Sequence, residues 1–116
     1  GRAAEDADDE VEALAADTAG RAVLIPRFGA GATAAFEAVP RSVAAQAMRT
    51  VGALAAGDAP AWRAVKQAKD MPRQVLMARI GIHHRLLFRA EDGALEVLDL
   101  VTRESLLTTL KRLRAG

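Results

Sequence analysis

The sequence contains no cysteine and no tyrosine, and its aromatic residues are three phenylalanines and one tryptophan. Without thiols there is no disulfide and no thiolate metal site, so a reducing compartment, the cytoplasm, is the expected location. Without several aromatics there is no stacking platform of the kind that sequence-tolerant single-strand binders use. Trp62 is therefore expected to anchor its loop to the core. No apolar run reaches the roughly 18 residues a membrane-spanning helix needs, and no signal-peptide pattern is present. The first residue is Gly rather than Met, which points to a piece of a longer protein.

What is present is an uneven charge. The formal net charge is +1, yet residues 1–20 hold seven acids against one base, and residues 21–116 hold 15 bases against eight acids. An acidic arm precedes a basic body, and a basic body favours a polyanionic partner. The 116 residues suffice for one core. Residues 1–20 are expected to be an arm, disordered over 1–8 and helical over 9–18; the alternative is an arm that lies over the basic body and competes with its ligand.

The rest of the chain reads in order. Residues 21–28 are β-branched and form a strand that Pro26 confines to a sheet edge. Residues 32–39 and 41–56 form two helices broken at Pro40. The second carries an apolar stripe of Val43, Ala44, Ala47, Met48, Val51, Leu54 and Ala55. Residues 58–74 form a basic connection with Arg63, Lys66, Lys69 and Arg73. Residues 75–103 then alternate as three antiparallel strands, with Gly81–His83 and Asp92-Gly93 as turns. In that register Arg89 faces Glu96 and Arg85 faces Leu100. Thr102 caps a last helix at 103–114, whose buried side is Leu106, Leu107, Leu110 and Leu113. The predicted fold is α+β: strand, helix, helix, strand, strand, strand, helix, with a small antiparallel sheet and a helical hairpin on one face.

Four stretches resemble the RelE/ParE toxin superfamily of bacterial toxin–antitoxin systems, over residues 21 to about 113. They are residues 64–81, AVKQAKDMPRQVLMARIG; His84-Arg85-Leu86-Leu87-Phe88-Arg89; Asp92-Gly93 with LEVLDLV from residue 95; and Thr102-Arg103-Glu104. The resemblance implies a RelE/ParE-like fold and a RelE-like toxin: a metal-independent endoribonuclease, free of cofactors, acting on messenger RNA at the ribosome and held by a cognate antitoxin. It implies Arg85 and Arg103 as catalytic phosphate clamps, and Arg79 as a further phosphate contact. Arg89, Lys66, Lys69 and Arg73 complete the expected RNA-binding set. Forked guanidinium donors suit a phosphorane in formation.

The chain departs from that pattern in three places. Leu106–Thr109 stand where the nuclease branch has a tyrosine, Met77 and Ala78 replace its paired lysines, and the turn before Arg85 is one residue longer. His83, in that turn, becomes the candidate for proton transfer, since imidazole titrates near neutral pH. His84 falls on the apolar face and reads as a core residue. Adjacent histidines on a strand point apart, so no metal site is expected. Two other readings stay open: a ParE-like toxin that inhibits DNA gyrase, and a non-catalytic binding module of a larger protein.

Overall fold

Alternation between residues 75 and 101 builds a sheet with two buried faces. The computed structural model describes residues 9–14 and 22–116. Its elements in chain order are β1 (Val11–Ala13), β2 (Ile25–Phe28), α1 (Ala30–Ala38), α2 (Arg41–Ala55), α3 (Ala59–Arg63), β3 (Lys66–Ala68), β4 (Leu76–Ile80), β5 (His84–Glu91), β6 (Ala94–Thr102), a 3-10 turn (Arg103–Ser105) and α4 (Leu106–Ala115). The sheet order is β1-β3-β4-β5-β6-β2. No described helix is long and apolar enough to cross a membrane.

Even-numbered positions of β4 and β5 (Leu76, Ala78, Ile80, Leu86, Phe88) face α1 and α2, together with Leu95, Val97 and Leu100 of β6. Odd-numbered Met77 and Leu87, with Val75, face Leu106 and Leu110 of α4. The last helix therefore covers the second face. Trp62 fulfils its expected role: it is 1% exposed, meets Phe88 edge-on at 5.9 Å, and its Nε1 donates to the Leu54 carbonyl at 2.9 Å. Burying a side chain of the Phe88 class contributes about 1.5–3 kcal/mol. Met48, expected in the α2 stripe, is instead 50% exposed. A stripe read at three- and four-residue steps is broader than the face that meets the sheet.

The sheet is mixed, not antiparallel, because β2 runs parallel to β6. Three helices separate β2 from β3, and a connection of that length lets β2 join the sheet in either direction, so alternation does not set it. Pro26 fits the edge as predicted. The amides of Ile25 and Gly29 donate inward to the Gly93 and Val97 carbonyls at 2.9 and 3.2 Å. Position 26 then faces outward, where no donor is needed.

Three further expectations are corrected. Residues 11–13 are a strand, not part of a helix, and pair with β3. The open edge of β3 supplies main-chain partners that a short acidic segment cannot find alone. The rest of that helix reading, 15–18, and the disorder at 1–8 lie outside the described residues. The 58–74 connection contains α3, capped by Asp58 accepting from the Ala61 amide at 3.0 Å, and β3. Thr102 caps as expected, its Oγ1 accepting from Ser105 N at 3.2 Å, but a single 3-10 turn stands between this cap and α4.

Register is set by the Asp92-Gly93 turn, where both residues have φ > 0 (54° and 74°), as a tight two-residue hairpin loop requires. Arg89 faces Glu96 as predicted. Further along, β6 bulges at Leu98, so Leu87 faces Asp99 and Arg85 faces Val101 instead of Leu100.

Candidate nucleic-acid interface

The β4–β5 turn and the β6–α4 corner share one end of the sheet. Ile80 pairs with His84 and His84 with Thr102, so the three strands finish level. The Arg103 amide donates to the His83 carbonyl at 2.8 Å and ties the corner to the turn. Gly81 takes φ +62°, which lets the chain reverse there without strain. Arg79, His83, His84, Arg85 and Arg103 are thereby brought together. Lys66, opposite Met77 on β3, stands one diagonal step from Arg79 on the same face.

These side chains do different things. Arg85 is 6% exposed, and its Nη1 donates to the Ile82 and His84 carbonyls at 3.0 and 2.8 Å. It braces the turn from inside. Arg79 lies directly opposite Arg85 on β4, yet is exposed. Like charges across a strand pair repel, and separating one inward and one outward limits this. His83 is exposed at the turn, while His84 is half-buried. Arg103 is half-buried, and its Nε is buried without a hydrogen-bond partner among the described residues. Such a donor costs free energy until an acceptor reaches it. Residues 79–85 and 101–105 include a single acid, Glu104.

The remaining expected contacts lie elsewhere. Arg89 donates to the Gln74 carbonyl at 2.9 Å and to Glu96 at 3.3 Å, toward the other end of the sheet. Arg73 pairs with Glu91. That hydrogen bond, then the charge of Glu91, raises the Arg73 pKa above its ordinary value. The Lys69 amide donates to the Glu10 carbonyl at 2.8 Å, and Arg114 bridges Glu10 and the Lys69 carbonyl at 2.9 and 3.1 Å. The described part of the acidic arm thus lies on the β3 edge, beside Lys66 and Lys69.

Sequence reading missed the α2 side of this end. Gln46 Oε1 lies 3.7 Å from where a Cβ on Gly81 would stand, so α2 abuts the turn and brings Arg49 with it. A signal was available: α2 carries Arg41 and Arg49 and no acid at all, unusual for a helix with one face in water. Among the described residues no group of three or more histidines and carboxylates is placed to hold a metal ion. The arrangement can neutralise phosphate and present one imidazole to it.

No family model, no curated protein and no solved structure matches the chain.

Proposed function

We propose that this chain is a RelE/ParE-like toxin that binds and cleaves RNA at the β4–β5 end of its sheet. One observation supports the reading above the others: exposed Arg79 and His83 share a sheet end with Arg103, whose buried Nε lacks a partner among the described residues. A phosphodiester seated there meets two guanidiniums, and His83 takes the 2′-hydroxyl proton or returns one to the leaving oxygen. Arg85 acts as a positioning residue, since its Nη1 holds the turn carbonyls that set His83. The test is expression of the chain and then mapping of RNA ends. Growth arrest and cleavage are expected, with cleavage lost in His83→Ala while RNA binding persists, and both lost in Arg103→Ala. Harmless expression with intact RNA removes the toxin reading.

The burial of Arg85 favours a second reading, a non-catalytic RNA-binding module of this shape. The arginine that the resemblance implies as a phosphate clamp is occupied by its own turn. RNA binding without cleavage, insensitive to His83→Ala, is the result that selects it.

A further inference from the structure

One groove at this end of the sheet is unused by the chemistry above. It lies between α2, α3 and the outer edge of β4 and has a volume of about 370 Å³. Ala53, Ala61, Ala64 and Ala78 line it, and Arg49 and Arg79 flank it. That volume falls at the small end of the range of about 300–1,000 Å³ typical of small-ligand sites. Neither arginine belongs to an ion pair among the described residues.

The groove also borders an uncovered sheet edge. β3 pairs with β4 only at Lys66–Met77 and Gln67–Leu76, so β4 beyond Met77 has no strand beside it among the described residues. The Ala68 amide donates to the Val75 carbonyl at 2.9 Å, which fixes the side of β4 that faces β3. Strand alternation puts the N–H and C=O of Arg79 on that same side. An adjacent donor and acceptor thus line the edge, as on the hydrogen-bonding face of a nucleobase.

We propose that this groove holds one nucleotide of a single-stranded RNA. Its phosphate lies against Arg49, its base against the alanine floor, and the polar edge of the base against the Arg79 main chain. The proposal rests on the RNA-binding reading above and extends it around the turn. Gln46 abuts Gly81, so a strand with one phosphate at Arg79 and Arg103 reaches Arg49 by passing over the turn. Methyl contacts replace the aromatic stacking that the sequence lacks, so the subsite contributes affinity with little base preference. The Arg49 guanidinium, outside any ion pair among the described residues, argues for phosphate. Continuity with Arg103 and His83 argues for nucleic acid over an acidic peptide.

The experiment uses the full chain and a labelled single-stranded polyuridine oligonucleotide, titrated across a range of salt. The variants are Arg49→Ala and Ala64→Leu. Both positions are exposed, and Ala64 has an ordinary right-handed backbone (φ −85°, ψ −8°) that accepts leucine. Each variant is expected to weaken binding about fivefold, the low end of the range for losing one base contact. Arg49→Ala also lowers the slope of log K against log salt by about 0.7, the value for one phosphate of a single strand. Ala64→Leu fills the groove and leaves the slope unchanged. Wild-type affinity in both variants, with binding still lost in Arg103→Ala, overturns the groove and spares the basic end. If both variants instead lose only binding to a polyglutamate peptide, the occupant is an acidic peptide and the proposal fails. Absence of RNA binding by the unaltered chain overturns this inference and the reading beneath it together.

Discussion

The two ends of the central sheet carry arginines in similar number and differ in what faces them. At the Asp92-Gly93 end, Arg73 pairs with Glu91 and Arg89 with Glu96, and Arg27 lines the same surface hollow as Glu91, Asp92 and Glu96. Each positive group there has carboxylates beside it. At the Gly81–His83 end, Arg79 and Arg103 share the strand ends with one acid among the described residues, Glu104, and neither stands in an ion pair there. Net charge averages these ends and hides the difference. A polyanion is attracted by unneutralised charge, so among the described residues the second end offers it the stronger net field. At the first end the exposed Arg73–Glu91 pair contributes little to stability.

The largest effect expected from this contrast lies inside the basic end. Arg85→Ala removes a 6% exposed side chain and the donor that holds the Ile82 and His84 carbonyls. A cost of about 3 kcal/mol in urea unfolding is expected, from lost packing and the lost hydrogen bonds together. Arg89→Ala, at the neutralised end, exposes the Gln74 carbonyl to water more readily and costs about half as much. Equal costs at the two positions would remove the distinction between a bracing arginine and a paired one.

Next in size is the effect on RNA. Replacing Arg79 by Ala is expected to lower the salt slope of single-strand binding by about 0.7, the value for one phosphate contact. Arg73→Ala is expected to leave slope and affinity alone, because Glu91 already neutralises that side chain. A comparable loss from Arg73→Ala would show that RNA covers both ends, and the contrast would collapse.

Much of this contrast was legible in the sequence, and the reasons differ by element. The strands from 76 to 102 announced themselves because side chains alternate with period two and Asp92-Gly93 closes a tight turn. The Arg89–Glu96 pair could be read from that turn alone. Beyond it, the bulge at Leu98 shifted the partner of Arg85, since nothing in LEVLDLV marks an extra residue. Strands of three residues, such as β1 and β3, are too short for a pattern and form because an edge awaits them. Asp58 with Pro60 two residues on was a readable start signal for α3. For the site, alternation put Arg85 and Arg79 on one face but could not say that Arg85 is buried there while Arg79 is exposed. Arg49 was invisible in strand terms because it reaches the sheet end from a helix some thirty residues before Arg79.

The smallest effect tests the contrast in the opposite direction. If lack of neutralisation marks the RNA-binding end, removing an acid should extend that property to the other end. Glu91→Gln keeps the side-chain shape and frees Arg73, whose pKa then falls back toward its ordinary value and leaves it fully charged at neutral pH. A freed cation at an exposed site adds at most one weak phosphate contact, so the salt slope should steepen by no more than about 0.7. The gain requires an RNA long enough to span the sheet from Arg79 to Arg73. A short oligonucleotide confined to the Gly81 end should show no change. If Glu91→Gln strengthens binding of short and long RNA alike, the acid acts at a distance through the overall field, and charge pairing at the individual strand ends is not what separates them.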